Sequence, residues 1–225
     1  EKSVLFIIPW SDHWIIGTTD TDWALDRAHP AATSNDISYL LQRVNELLEN
    51  ELDTSDIQGV YVGLRPLLTG ESEDTAKLSR EHHVSHPTPG VVSIAGGKYT
   101  TYRVMARDAV NAAVNEVPRW VSPSRTKEIQ LVGAENFLKL EEKIIALSTE
   151  NDIDVPTARH LLDRHGDRIH EVFDIIAESP DLKEQLSSGY PYIRAEVVHA
   201  VRFECALHLE DVLTRRTRLS IESWD

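Results

Sequence analysis

The sequence predicts an α+β chain, in which an incomplete antiparallel sheet is followed by a small all-helical portion. Three observations predict it. Short apolar runs bounded by turn residues occupy the first hundred or so positions. Apolar residues at helical spacing take over beyond about residue 135. Between the two, Pro118 to Gly133 holds two prolines and little pattern, which reads as a connection.

Taken in order, Val4 to Pro9 (VLFIIP) is a continuous apolar run expected to form a buried strand. His13 to Thr18 (HWIIGT) reads as its hairpin partner, with Trp10, Ser11 and Asp12 at the turn. Thr19 to Pro30 is polar loop. Ser34, Asn35 and Asp36 offer N-cap choices for a helix carrying Ile37, Leu40, Leu41, Val44, Leu47 and Leu48. Ile57 to Leu64, His82 to Ser85 and Val91 to Ala95 read as the third, fourth and fifth strands. A helix is expected from Tyr102 to Val117. A short strand-like stretch, Ile129 to Val132, lies in the connection. Helices follow at 135–149, 156–165, 167–178 and 193–214, with Pro156 suited to a first turn and Gly166 to a stop. The expected division is 1–120, a linker at 121–134, and a helical portion at 135–225.

Composition narrows the function classes. With 23 basic against 37 acidic residues the net charge is −14, which repels phosphate backbones and argues against a nucleic-acid partner. A small anionic ligand is still compatible, because a local arginine cluster overrules global charge. One cysteine, Cys205, permits no internal disulfide and no cysteine-based metal site, and it is expected as a buried thiol on an apolar helix face. No run of about 20 apolar residues spans a bilayer, and no signal peptide is visible. The opening Glu1-Lys2-Ser3 runs straight into a strand, so the chain reads as a piece of something longer.

Four segments carry chemistry. In Val91 to Arg103 (VVSIAGGKYTTYR) an apolar strand ends at Gly96-Gly97, followed by Lys98, Tyr99, Thr100 and Thr101 and then a helix. Such a turn brings backbone N–H groups, a helix N-terminus and an ammonium to one point, which suits an anion. An ordinary capped strand-to-helix turn is the plainer reading. In Gly63-Leu64-Arg65-Pro66-Leu67-Leu68, Arg65 sits among apolar residues and needs a partner, either a protein carboxylate or a substrate phosphate. Leu78-Ser79-Arg80-Glu81-His82-His83 is a dense polar group leading into a strand. Its adjacent histidines face opposite sides, so one at most serves a site. Gly17 to Asp22 (GTTDTD) has acidic spacing but lacks the glycine and closing glutamate of a calcium loop. It reads as a tight wall or a turn, and no metal site is expected.

PW followed by HWIIGTTDTDW, then GLRPLL, LSREHHV and SIAGGKYTTYRVMARDAV resembles, in order and spacing, the second half of the FAD-dependent glycerol-3-phosphate dehydrogenases. LLDRHG and IRAEVVHAVRFECALHLEDVLTRRTR resemble the small helical domain that closes those enzymes. The resemblance implies a substrate and flavin domain at 1–120 and a helical cap at 135–225. It implies hydride removal from C2 of sn-glycerol 3-phosphate to give dihydroxyacetone phosphate, with FAD as acceptor and electrons passing to a membrane quinone. Arg65 and Arg80 match substrate contacts and would clamp a phosphate. Lys98 would lie near the reacting oxygen or the flavin, and Gly96 to Thr101 would approach the flavin. Tyr99 stands where the family more often has Leu.

The resemblance also marks what is missing. No G-x-G-x-x-G follows an early strand, so the AMP half of FAD has no home here. The general base would be a histidine upstream of Glu1, with His82 and His13 available only in principle. The isolated chain is therefore expected to be inactive. Val197, Val198, Val201, Phe203, Cys205, Leu209, Val212 and Leu213 are expected on one apolar face, as core or as a docking surface. Arg215, Arg216 and Arg218 would pair with carboxylates or lipid headgroups. A cytoplasmic protein, peripheral at the membrane and open to homodimerisation, fits this picture. A glycerol-3-phosphate oxidase using oxygen and a non-catalytic interaction module of the same fold are the competing readings.

Overall fold

The computed structural model describes residues 4–10, 13–68 and 81–222. The chain divides into two compact units at Lys127/Glu128. The first contains two separate two-stranded antiparallel sheets and two helices. Strand β1 (Phe6–Trp10) pairs with β2 (His13–Gly17), setting Phe6 opposite Gly17 and Trp10 opposite His13. Helix α1 spans Ser34–Asn45. Strand β3 (His82–Thr88) pairs with β4 (Val91–Gly96), with a register shift between Ser85 and Thr88. Helix α2 (Tyr102–Val114) packs on this second hairpin.

Several expectations need correction. The α1 cap is Thr33, one residue before the Ser-Asn-Asp run: its hydroxyl accepts from Asp36 N (3.2 Å), and Asp36 accepts from Thr33 N (2.9 Å). Reciprocal satisfaction of two orphan donors selects that start. The helix stops at Asn45, whose amide holds both the N–H and the C=O of Leu52 at 2.9 Å, pulling the chain out of helix before Leu47 and Leu48. Ile57–Leu64 is extended but not a strand, and α2 ends at Val114. A β-run is stabilised by cross-strand partners, and 57–64 joins no ladder among the described residues. Its apolar side chains accordingly stay open, Tyr61 at 62% exposure. Val44 is the one buried hydrophobic residue described in this unit.

The second unit is all helical and has the true core. Helices α3 (Phe137–Glu141) and α4 (Ile144–Glu150) replace the single expected helix at 135–149. Helix α5 (Val155–His165) starts at Asp154, which accepts from Thr157 N at 2.7 Å, with Pro156 in the first turn as expected. It stops at Gly166, with φ 60°. A Cβ there would lie 2.0 Å from the Gly133 carbonyl oxygen, which instead accepts from Asp167 N at 2.8 Å. Glycine is therefore required both for the turn and for this approach. Helix α6 (Ile169–Glu178) and helix α7 (Arg194–Phe203) complete the bundle. Leu161, Leu162, Ile169, Val172, Ile175 and Ile193 fill its centre. The Ile129–Val132 stretch forms no strand, and Val132 is 79% exposed.

The expected long helix 193–214 is broken. After Phe203 the backbone turns at Cys205 (φ 55°), and Arg216 donates to the Glu204 carbonyl at 2.6 and 3.1 Å. A π-helical turn follows at Asp211–Arg216, then helix α8 at Leu219–Glu222. Cys205 is exposed, not buried, because it lies past the helix end. The buried face of α7 is Ala195, Glu196, His199 and Ala200, while Val201, Phe203 and Leu209 face outward. Arg215 pairs with Glu210 and Asp211, and Arg216 with Glu204.

Asp211 ties this exit together. It accepts from Leu207 N and His208 N, both at 3.0 Å, and from Arg215 at 2.9 Å. The two amides first, then Arg215, bring its carboxyl down to about 2 from the ordinary 3.8. A depressed carboxyl stabilises the fold fully above its unfolded value and ceases to as pH falls through the folded one. The 207–216 segment should thus loosen between 3.8 and about 2. Amide NMR shifts of Leu207 and His208 would follow that transition, and Asp211→Asn should remove it.

Candidate functional site

The site grows from the end of β4. Gly96 and Gly97 have φ of 74° and 83°, open to glycine and strained for other residues. A Cβ on Gly96 would sit 2.7 Å from the Glu81 carbonyl oxygen, and one on Gly97 2.5 Å from Met105 Sδ. The glycine pair therefore lets the turn fold against β3 and α2. Lys98 follows in extended conformation. Its N–H donates to Thr101 Oγ1 (3.3 Å), and its carbonyl accepts from Thr101 N (3.0 Å) and from Thr101 Oγ1 (2.9 Å). Tyr99–Thr101 make one 3-10 turn before α2, a step the sequence did not disclose. Tyr99 is 91% exposed and stacks on Tyr102 at 5.9 Å.

Leu64–Leu67 lie beside this turn. Together with Gly97, Lys98 and Tyr99 they line an open cavity of about 240 Å³. Arg65 and Lys98 thus meet at one concavity although 33 positions separate them in sequence. Arg65 is ion-paired with Asp20, from the GTTDTD loop, and both side chains are about one-third exposed. A pair so open to water contributes roughly 1 kcal/mol or less. The guanidinium has five donors, so a stronger anion can recruit it. Lys98 has no carboxylate partner among the described residues. Arg80 lies outside the described residues.

Residues 1–103 match the family model described as FAD dependent oxidoreductase, and residues 124–225 match that of the C-terminal domain of alpha-glycerophosphate oxidase. The glycerol-3-phosphate dehydrogenase of Mycobacterium leprae is 54% identical over 222 residues, 99% of this chain and 38% of the relative. Nearly the whole chain is thus similar to the carboxy-terminal portion of the FAD-dependent glycerol-3-phosphate dehydrogenases. The human mitochondrial glycerol-3-phosphate dehydrogenase is 35% identical over 98% of the chain and 31% of its own length. The solved glycerol-3-phosphate dehydrogenase from Bacillus halodurans, complexed with FAD, superposes with a TM-score of 0.76 at 26% identity, over 95% of this chain and 42% of that one. The chain thus spans about four-tenths or less of these family members.

Beside what a flavin dinucleotide requires, the cavity is small. Pockets that enclose drug-sized ligands run to about 300–1,000 Å³, so about 240 Å³ holds one small group and not a dinucleotide. The described residues offer the adenylate half no Gly-rich strand-to-helix turn after an early strand.

The histidines fall elsewhere. His82 begins β3, and its Nε2 lies 3.0 Å from Asp108 Oδ2 on α2. Arg107 first, and then His82, hold the Asp108 carboxyl below the ordinary range. His82 sits behind the Gly97 turn and does not line the cavity. Two partners escaped sequence reasoning. Asp20 was legible only as an acidic loop, since nothing local indicates a contact 45 residues away. Asp108 follows Arg107 on α2 and looks like half of a surface pair.

Proposed function

We propose that the complete protein oxidises sn-glycerol 3-phosphate to dihydroxyacetone phosphate and that this chain supplies the cationic wall of the substrate site. The convergence of Arg65 and Lys98 on one cavity carries the reading. The family resemblance and the relatives' names support the substrate. FAD, when bound, accepts the hydride from C2. Arg65 leaves Asp20 for the phosphate dianion, exchanging a weak exposed pair for a bidentate one. Lys98, beside the Gly97 turn, places its ammonium where negative charge develops on the C2 oxygen. The hydroxyl proton goes to a base contributed by the remaining length of the enzyme, since His82 is engaged with Asp108.

The same reading makes quinone the acceptor and places the protein in the cytoplasm, peripheral at the membrane, with homodimerisation open. No helix among the described residues is long and apolar enough to cross a membrane, so contact with quinone would be made from the surface. Oxygen as acceptor is a second reading, favoured by the oxidase name of the family model at 124–225.

The test replaces the matching 222 residues of the Mycobacterium leprae relative with this chain. The chimera should reduce a quinone analogue anaerobically with sn-glycerol 3-phosphate. Peroxide formation in air without quinone activity would favour the oxidase. No turnover in a folded, flavin-loaded chimera would remove the proposal. The isolated chain, by contrast, should show no flavin absorption after incubation with FAD and dialysis into flavin-free buffer, because the cavity lacks room for the nucleotide.

A further inference from the structure

The second unit holds a cluster that the flavoenzyme reading does not use. His165 ends α5, His199 lies on the buried face of α7, and Glu204 caps the end of α7. One donor atom from each lies within 4.8 Å of the other two. Both histidines are inside the bundle, with side chains 2% and 4% exposed. Their rings meet edge to face, centroids 4.5 Å apart.

Two ring nitrogens in this cluster are buried without a hydrogen bond: His165 Nε2 and His199 Nδ1. The nearest carboxylate to His165 Nε2, Glu196 Oε1, is 3.8 Å away, too far to bond. Leaving such atoms unpaired costs about 1–3 kcal/mol each, so a partner absent from the polypeptide itself is indicated. The other nitrogen of His199, Nε2, faces Glu171 Oε2 at 3.0 Å. A carboxylate on the far ring nitrogen fixes the tautomer that presents the near nitrogen to a metal, and it is the usual outer partner of a metal-bound histidine.

We propose that His165, His199 and Glu204 form a binding site for a divalent transition-metal ion such as Zn²⁺, with Glu171 orienting His199. Two imidazoles and one carboxylate suit a borderline ion, and three protein ligands leave a fourth position for water. Bond lengths of about 2.0–2.2 Å bring tetrahedral donors to roughly 3.4 Å from one another. From a spacing of up to 4.8 Å the donors close by about 1.4 Å at most, and Glu204, past the helix end, is the least buried of the three. The ion would join the end of α5 to the end of α7. Arg164 and Arg216 approach Glu204 Oε2 at 3.3 and 3.7 Å. They hold the carboxylate in place but oppose a dication, so binding is weaker than in a closed four-ligand zinc site.

The probes are Co²⁺ and Zn²⁺ with the purified chain after chelator treatment. One Co²⁺ per chain should bind with the visible bands of a low-coordinate N/O site, displaced by Zn²⁺. Glu204→Gln, at a part-exposed position that tolerates exchange, should weaken binding at least tenfold without changing the circular dichroism. Glu171→Gln should weaken it about 10- to 100-fold. His199→Gln should abolish it. Stoichiometric binding that survives both Glu204→Gln and His199→Gln would place the ion on exposed histidines and overturn the site. Failure of the unaltered chain to bind either ion would leave a buried water as the partner and overturn it equally. Should His199→Gln fail to fold, Glu204→Gln alone decides.

Discussion

Arg65→Ala in the chimeric enzyme should lower kcat/KM for sn-glycerol 3-phosphate by a factor of roughly 30 to several thousand, equivalent to about 2–5 kcal/mol. The size follows from two effects. The phosphate loses a charge-assisted donor, and Asp20, now without this guanidinium, keeps its negative charge beside an anion. The second effect can be separated from the first. Asp20→Ala added to Arg65→Ala should recover part of the loss, whereas Asp20→Ala alone should leave kcat/KM unchanged or raise it. Lys98→Ala should act mainly on kcat, because its ammonium is assigned to charge that appears only in the transition state. Equal kinetics for the parent and Arg65→Ala would remove Arg65 from the site.

The helical unit should lose about 3–5 kcal/mol on Glu196→Ala, with a fall in Tm on the order of 20 °C. Glu196 has only 1% of its side chain exposed, yet it is charged. Burial by itself pushes its carboxyl up, but His160 and the Ile193 N–H, which bond it directly, help to outweigh that and hold it at about 2. His160 Nε2 and Ile193 N lie 3.0 and 2.9 Å from its oxygens, and Arg164 Nε lies at 3.4 Å. Truncation leaves the α7 start uncapped and Arg164 facing an empty space. Glu196→Gln, which can still accept from Ile193 N, should cost less. Ala at exposed Glu150 should change stability by no more than about 0.5 kcal/mol. Calorimetry of the three variants orders them, and an unchanged Tm for Glu196→Ala would show the network to be dispensable.

The two units were unequally legible. In the helical unit, Pro156, Gly166 and the apolar spacing of α5 and α6 located elements to within a residue or two, because those signals act within one turn. The 193–214 stretch misled for the same reason. Its apolar period suggests one helix, while the break is made by Arg216 reaching back to the Glu204 carbonyl, 12 residues earlier. The buried face of α7 includes Glu196 and His199, which no hydrophobic pattern marks. In the first unit the apolar run 57–64 has strand composition but no neighbour among the described residues to pair with, and composition cannot report a partner.

By itself the sequence determined the α+β class, the hairpins at 4–18 and 82–96, the glycine pair that ends β4, and the resemblance to the flavin-dependent dehydrogenases. These rest on local backbone preference and on motif order along the chain. Only the tertiary structure decided that Arg65 and Lys98 share a cavity, that Asp20 guards the arginine, and that two histidines meet inside the helical unit, each with one unbonded ring nitrogen. Each of these joins residues 33 or more positions apart, by direct contact or across a cavity. Its energy depends on burial and distance, quantities that exist only once the chain has folded.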